Sequence, residues 1–357
     1  MHCPCLGQGV LVCAPLTQLG DWGWRMTQTD TEQGDQAASL AAAFRNAIDL
    51  AAAHEGATAP NPCVGCVLLD AGGETLAAAA HLGAGQAHAE ARAIAMAQAA
   101  GVAGRIATVV VTLEPCDHHG HTGPCSDAIL ATPAREVWYG LLDPNSNAAG
   151  GAERLRRAGL TVRSLAELRH AERDRLLTDA TRLLAPFATR VRLGRPFVTV
   201  KQALNTSGSM IPNAGQKTFT GPDALRLAHR LRRRADAILT GSGTILADRP
   251  EFTVRHLPDI PGKSRILCIL DRRGRVDAAY LSEAQRRGFR TRIESDLVTA
   301  LHALGDAGCN EVLVEAGPTL LSTVRQDGLW DEWVLIEAGA AGQSDRITCT
   351  NRNHQAR

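Results

Sequence analysis

The chain has 357 residues, of which 45% are hydrophobic and 21% charged, and its formal net charge is +1. This length exceeds one ordinary hydrophobic core, so we expect two domains. The near-neutral charge argues against an extended nucleic-acid track, and no apolar run reaches the roughly 20 residues of a membrane helix. The ten cysteines lack a regular disulfide spacing, and the first residues carry no secretory pattern, so we expect a cytoplasmic protein.

The first part of the chain predicts alternating helices and strands. Residues 1–34 have no periodicity and are predicted to be a loose N-terminal extension. Helices are predicted at Ala37–Ala53, Ala87–Ala100 and Ser126–Ala131, and strands at Cys63–Asp70, Thr75–Ala80, Ala107–Leu113, Glu136–Leu141 and from Val162. This alternation predicts a three-layer α/β sandwich over residues 35–165.

The second part resumes the alternation after an arginine-rich helical stretch. We interpret residues 166–192 as a helical linker and residues 193–357 as a second α/β domain. Predicted elements are strands at Phe197–Ala203, Ala237–Thr240, Arg265–Leu270, Glu311–Glu315 and Trp333–Glu337, with helices at Gly221–Arg233 and Pro318–Gln326. The polar, patternless tail from Ala338 is expected to be poorly ordered.

A histidine and two cysteines form the chemically most informative pattern. His88, Cys116 and Cys125 can supply three zinc ligands and leave a fourth position open for water, as in catalytic zinc sites. Glu90, two residues after His88, is placed to move protons beside the metal without binding it. This combination predicts a zinc-dependent deaminase that activates water near neutral pH.

The spacing within this pattern is unusual. Eight residues separate Cys116 from Cys125, whereas the usual deaminase pattern has two. The intervening loop holds His118, His119 and His121, which suit contacts to a substrate phosphate or base better than metal ligation. Cys63 and Cys66 lie within an apolar strand and are interpreted as core or pocket residues.

These motifs resemble the bifunctional deaminase/reductases of riboflavin biosynthesis, and the resemblance runs from about Ala37 to about Glu337. It rests on His88-Ala89-Glu90 and on two longer stretches, Asn61–Val67 (NPCVGCV) and Thr112–Cys125 (TLEPCDHHGHTGPC). The resemblance implies a cytidine-deaminase-like domain followed by a dihydrofolate-reductase-like domain. It also implies deamination of 2,5-diamino-6-(phosphoribosylamino)pyrimidin-4-one and NADPH-dependent reduction of its ribose to a ribityl chain.

The resemblance also implies roles for individual residues. In the first domain, His88, Cys116 and Cys125 would bind zinc, Glu90 would donate the proton, and substrate would contact Asn61 and His119. In the second domain, the matching stretches are Ala235–Thr244, Leu246–Pro250 and Val314–Leu320. They imply substrate binding by Arg232, Arg255 and Glu315, and NADPH binding by Ala203, Thr244, Asp248, Gly317, Pro318, Thr319 and Leu320.

Several departures from the family pattern lie in the second domain. Thr206-Ser207-Gly208 lacks a usual aspartate, the stretch 216–220 replaces a serine and a tryptophan, and Arg272 stands in place of a serine. The domain also reads as truncated at its C-terminus. Two hypotheses follow: a divergent but active reductase, which we favour, or a deaminase with a degenerate second domain that serves a branch pathway.

Two further classes of function fit these residues less well. A deaminase of nucleic-acid bases would need a basic, aromatic-lined track, yet aromatic residues make up only 4% of the chain. A non-enzymatic zinc scaffold would not need Glu90 beside the metal. We therefore expect a small phosphorylated pyrimidine as the binding partner, no nucleic acid, no membrane, and a homo-oligomer.

Overall fold

The computed structural model describes residues 28–118, 123–211, 218–340 and 343–352. The predicted extension lies almost entirely outside these residues, as do His119 and His121. Within the described residues, no helix is both long enough and apolar enough to cross a membrane.

The first sheet has five strands in the order β2-β1-β3-β4-β5. β1 pairs antiparallel with β2 and β3, whereas β3, β4 and β5 run parallel. The elements of this half are α1 (Gln28–Ala52), β1 (Gly65–Leu69), β2 (Thr75–Ala80), α2 (Ala89–Ala99), β3 (Thr108–Leu113), α3 (Cys125–Leu130), β4 (Glu136–Leu141), α4 (Gly151–Arg157), β5 (Thr161–Ser164) and α5 (Arg173–Leu193).

Helices cover both faces of this sheet, so the predicted three-layer α/β sandwich is confirmed. Alternate residues of β1 point to opposite faces: Cys66 and Leu68 join the core beneath α2, α3 and α4, whereas Val67 and Leu69 pack with Phe44 of α1. The helix predicted from Ala37 begins earlier, at Gln28. The prediction missed its first turns because they are polar and carry no apolar periodicity.

The second sheet has seven strands in the order β12-β11-β6-β10-β7-β8-β9. All neighbouring pairs are parallel except β11 with β12. Its elements are β6 (Phe197–Leu204), α6 (Pro222–Arg234), β7 (Ala237–Gly241), α7 (Ser242–Asp248), β8 (Ile266–Leu270), α8 (Ala278–Arg286), β9 (Arg290–Glu294), α9 (Leu297–Asp306), β10 (Glu311–Val314), α10 (Pro318–Gln326), β11 (Glu332–Glu337) and β12 (Arg346–Asn351).

The expectation that the tail from Ala338 is poorly ordered was wrong for the strand β12. β12 pairs along its whole length with β11, from Glu337 opposite Arg346 to Glu332 opposite Asn351. All six residues of β12 are exposed, so neither face imposes an apolar alternation that a sequence pattern could reveal. Its order comes from backbone hydrogen bonds to β11.

α5 joins the two halves, and its buried apolar residues pack on the first half. Leu176 and Ala180 belong to the core between α1 and the first sheet, whereas Leu184 and Phe187 pack near Leu113 at the end of β3. The helix ends at Gly194, whose φ of 64° is the left-handed conformation that glycine tolerates best. β6 of the second sheet follows three residues later.

Candidate active site

The structure brings the three predicted zinc ligands together. His88 is the N-cap of α2, Cys125 is the first residue of α3, and Cys116 lies in the loop after β3. Nδ1 of His88 is 3.5 Å from Sγ of Cys116 and 3.3 Å from Sγ of Cys125. The three ligand atoms lie within 4.8 Å of one another.

This geometry fits a tetrahedral zinc ion. Bonds of about 2.0–2.1 Å to nitrogen and about 2.3 Å to sulfur imply nitrogen–sulfur separations of about 3.6 Å around a tetrahedral ion. The observed separations from His88 to Cys116 and Cys125 are close to this value. One nitrogen and two sulfur donors also match the ligand preference of zinc.

The surroundings of Cys116 favour a thiolate. Its pKa is lowered, chiefly by a side-chain hydrogen bond with Cys125, and further by hydrogen bonds with His88 and with the Cys125 backbone. The backbone N–H of Cys125 donates to Sγ of Cys116 over 3.4 Å. The pKa of the Cys125 thiol is raised, chiefly by its hydrogen bond with Cys116 and then by burial, so the proton of the pair stays on Cys125. A bound zinc ion would hold both sulfurs as thiolates.

Glu90 is a buried carboxyl group in the first turn of α2, next to the cluster. Only 3% of the residue is exposed, and burial, together with the nearby Cys116 thiolate, raises the pKa of Glu90 to about 7. Positive charge on a neighbouring ion would counteract this shift. A carboxyl group with its pKa near the working pH can both accept and return a proton.

A cavity of about 300 Å³ opens over this cluster. Its wall comes from the segment before β1, the ends of β3 and β4, and α5. The lining residues are Pro60, Asn61, Pro62, Val64, His81, His88, Glu90, Leu113, Glu114, Cys116, His118, Asp143, Asn145, Ala148, Phe187 and Arg190. This volume is at the lower end of the range for small-molecule sites.

Asn61, which was predicted to bind substrate, is oriented by His81. Nδ1 of His81 lies 3.2 Å from the Ala87 carbonyl oxygen, and Nε2 lies 3.2 Å from Nδ2 of Asn61. Because a carbonyl can only accept, the ring proton is on Nδ1, and Nε2 accepts from the amide of Asn61. This orientation leaves Oδ1 of Asn61 as an acceptor at the cavity wall.

An ion-pair network supports the loops that carry the cysteines. Arg154 of α4 donates to Asp117 over 2.7 Å and to Asp127 over 2.5 Å. Asp117 follows Cys116 directly, and Asp127 lies two residues after Cys125. Such contacts orient the groups that hold a metal.

The start of α4 packs closely against the same loop. A Cβ on Gly151 would lie 1.9 Å from the carbonyl oxygen of Pro115, so only glycine allows this approach. The buried carboxylate of Glu114 accepts backbone N–H groups of Asp143, Gly150 and Ala152. Glu114 therefore fixes the segment that follows β4 and lines the cavity.

Several of the predicted cofactor-binding residues of the second half lie at the carboxyl ends of neighbouring strands of the second sheet. β7 and β10 are parallel neighbours, and the N–H of Gly317 donates to Oγ1 of Thr244 over 3.1 Å. Gly317 caps α10, whose first turn is Pro318, Thr319 and Leu320. Asp248 is exposed at the end of α7 and Ala203 is half-buried on β6. A helix N-terminus beside a turn is suited to phosphate.

Arg232 and Glu315 contact each other rather than standing free for a ligand. Nε and Nη2 of Arg232 donate to the two carboxylate oxygens of Glu315 over 2.5 and 2.9 Å. Lys201, which the sequence reasoning overlooked, lies 3.4 Å from the same carboxylate. Arg255 is exposed and pairs with Glu251 over 2.6 Å. Arg255 therefore has an ion-pair partner of its own, distinct from Glu315.

Other functional residues were also missed from the sequence. His81 precedes His88 by seven residues, and this spacing alone does not indicate a contact. Arg190 lies in the cavity wall although it belongs to α5, which the sequence indicated only as a linker. Neither residue has a local signal, because each acts through a neighbour distant in the chain.

Comparison with known proteins matches both halves. Residues 38–141 match the family model described as the cytidine and deoxycytidylate deaminase zinc-binding region, and residues 196–349 match that of the RibD C-terminal domain. The chain is 33% identical to riboflavin biosynthesis protein RibD of Escherichia coli (strain K12). The aligned region covers 85% of this chain and 89% of that protein.

Two solved structures share most of this architecture. Acinetobacter baumannii RibD, form 1, is 31% identical with a TM-score of 0.71, over 87% of this chain and 90% of that chain. A protein of Thermotoga maritima is 27% identical with a TM-score of 0.73, over 86% and 89%. It is titled a diaminohydroxyphosphoribosylaminopyrimidine deaminase/5-amino-6-(5-phosphoribosylamino)uracil reductase.

Proposed function

The chain belongs to the riboflavin biosynthesis protein RibD family, and from that premise we propose that its first cavity deaminates 2,5-diamino-6-(phosphoribosylamino)pyrimidin-4-one. The protein is a zinc-dependent deaminase joined to an NADPH-dependent reductase in riboflavin biosynthesis. The second half would then reduce the ribosyl group of the deaminated product to a ribityl chain.

The convergence of His88, Cys116 and Cys125 beside the buried Glu90 carries the deaminase proposal. Zinc held by these three residues would supply Lewis-acid activation of water at neutral pH. Glu90 would take a proton from the attacking water and deliver it to the departing ammonia. Oδ1 of Asn61 would accept a hydrogen bond from the substrate pyrimidine, and α5 and the segment before β1 would limit access of bulk water.

The carboxyl edge of the second sheet supports the reductase proposal. The backbone N–H groups of Thr319 and Leu320, in the first turn of α10 beside the Gly317–Thr244 contact, are suited to the phosphates of NADPH. Lys201 and Glu315 lie at the same edge, where the reacting ribose would be held beside the nicotinamide. The match of residues 196–349 to the RibD C-terminal domain does not favour the alternative of a deaminase with a degenerate second half.

The partner is a pyrimidine derivative, and we propose that it carries a phosphoribosyl group. The cavity of about 300 Å³ suits one small molecule rather than a nucleic-acid strand. Cysteines of the described residues are free thiols, which agrees with the proposed cytoplasmic location. Assembly into a homo-oligomer remains part of the proposal.

Two assays on the purified full chain test this function. Ammonia release from the diaminopyrimidine substrate, lost after zinc chelation and restored by zinc, is the expected result for the first half. NADPH oxidation on the deaminated product is expected for the second. Deamination without any NADPH oxidation at saturating substrate would refute the reductase assignment while leaving the deaminase assignment intact.

A further inference from the structure

We propose that Asn310, a residue of the second domain, positions the substrate-binding Asn61 of the deaminase cavity. The proposal rests on the deaminase function proposed above. It makes the second domain a structural part of the first active site, in addition to its own reductase role.

Asn310 makes two side-chain contacts across the junction of the two halves. Its Nδ2 donates to the carbonyl oxygen of Asn61 over 3.0 Å, and its Oδ1 accepts from Nε of Arg190 over 2.7 Å. Asn310 is 7% exposed and directly precedes β10. A buried amide with both ends satisfied holds its partners in one arrangement.

Both partners of Asn310 line the deaminase cavity. Asn61 and Arg190 belong to the wall described above, and Nη2 of Arg190 also donates to the carbonyl oxygen of Pro60 over 2.7 Å. Asn310 thus lies behind the wall, while the Asn61 side chain faces His81 and the cavity in front. A shift of the Asn61 backbone would carry its side chain away from His81.

The segment between α1 and β1 depends on such outside contacts. Residues 53–64 form neither helix nor strand. Within the segment the hydroxyl of Thr58 donates to the carbonyl oxygen of Asn61 over 3.1 Å, and further partners for its carbonyl groups come from elsewhere in the chain. Lys263 of the second domain donates to the carbonyl oxygen of Gly56 over 2.6 Å. Together with Asn310 and Arg190, Lys263 holds three carbonyl groups of this segment, those of Gly56, Pro60 and Asn61.

Asn310 is itself anchored to the second sheet. Its backbone N–H donates to Oδ2 of Asp236 over 2.9 Å, and Oδ1 of Asp236 pairs with Lys263 over 3.0 Å. The anchor lies at the amino end of β10, whereas Glu315 and Gly317 lie beyond its carboxyl end. Substitution of Asn310 should therefore leave the reductase residues in place.

Asparagine suits this position because one short side chain supplies a donor and an acceptor. Asn310→Asp keeps an acceptor for Arg190 but sets a carboxylate oxygen against the carbonyl of Asn61. Asn310→Ala removes both contacts. Asn205→Ala is a matched control, because Asn205 is similarly buried at 9% exposure and its side chain bonds only to residues 207, 209 and 211 of its own turn among the described contacts.

The test measures kcat and KM for deamination by the full-length variants, with zinc content and NADPH oxidation recorded in parallel. Loss of an interaction made equally in the ground and transition states raises KM and leaves kcat nearly unchanged. We expect Asn310→Asp and Asn310→Ala to raise KM about fivefold. This is the effect of losing one hydrogen bond, the one between the Asn61 side chain and the substrate. Zinc content and NADPH oxidation of the two Asn310 variants should stay within twofold of wild type. The KM of the control Asn205→Ala for deamination should also stay within twofold.

A double-mutant cycle isolates the route through Asn61. If Asn310 acts by orienting that side chain, Asn310→Asp should change KM by less than twofold in an Asn61→Ala background. Equal effects in both backgrounds, or a wild-type KM for Asn310→Asp, would overturn the proposal. A lower kcat with unchanged KM would likewise contradict it, because that pattern indicates a smaller active fraction or the loss of an interaction made only in the transition state. Absence of ammonia release by the wild type would refute the deaminase function itself.

Discussion

His88 and Cys125 lie at the N-termini of two different helices, and Nδ1 of the histidine is 3.3 Å from Sγ of the cysteine. Cys116, from the loop after β3, completes the cluster. Because the three donors come from separate elements, the site depends on the packing of α2 and α3 against the end of the first sheet.

Removal of one cysteine ligand should abolish zinc binding. We expect about one zinc per wild-type chain and almost none in Cys125→Ser, because two remaining ligands bind the ion too weakly to retain it through dialysis. Zinc is measured by inductively coupled plasma mass spectrometry. Cys349→Ser, which changes an exposed thiol of β12, should retain the full content; equal zinc in Cys125→Ser and wild type would contradict the ligand assignment.

Glu90→Gln should separate metal binding from proton transfer. Glutamine keeps the size of the side chain but cannot shuttle a proton, so we expect kcat for deamination to fall by about 100-fold or more. Zinc content should stay near one per chain. Glu153→Gln, which changes an exposed carboxylate on α4, serves as the control and should keep wild-type turnover. Full turnover by Glu90→Gln with zinc bound would rule out the proposed role.

Arg154→Leu should weaken the site without touching a ligand. Arg154 bridges Asp117 and Asp127, so its loss frees the loops that follow both cysteines. Changes at such supporting contacts typically cost about 10- to 100-fold in metal affinity, and we expect a loss in that range in a competitive chelator titration. Arg157→Leu changes a more exposed arginine of the same helix. The two variants having equal zinc affinity would show that the bridge does not support the site.

The Arg232–Glu315 pair should make stability depend on pH below 4.5. Burial alone would raise the pKa of Glu315, but Arg232 and then Lys201 outweigh burial and lower its pKa from 4.5 to about 2. A carboxylate with a lowered folded-state pKa stabilises the fold above pH 4.5, and that contribution is lost as pH falls towards 2. Linkage gives a loss of about 1.4 kcal/mol by pH 3.5.

This dependence is measured by urea unfolding of wild type and Glu315→Gln between pH 6 and 3.5. The stability difference between the two should shrink by about 1.4 kcal/mol across this range. Glu251→Gln, which removes an exposed ion pair with Arg255, should be nearly neutral at both ends of the range. A constant difference for Glu315→Gln would mean that the carboxylate is not stabilised by its cationic partners.

Local patterns in the sequence sufficed where the structure is built from local rules. The strand Thr75–Ala80 and the helix Pro318–Gln326 were predicted with their observed bounds, because a hairpin turn and a proline at a helix start act within a few residues. The strands β9 and β12 and the helices α4, α7, α8 and α9 were not predicted. β9 is largely polar (RTRIE) with little burial, so its order depends on pairing with β8.

The sequence alone predicted the zinc ligands and Glu90, because their chemistry requires particular residue types at short, recognisable spacings. Only the tertiary structure decided which residues surround them. Asn310 stands 249 positions from Asn61, and no periodicity links two such positions. The same holds for Arg232, whose guanidinium is held by Glu315 rather than left for a phosphate. Hydrogen bonds and ion pairs between distant segments depend on the packed sheets, which no local pattern encodes.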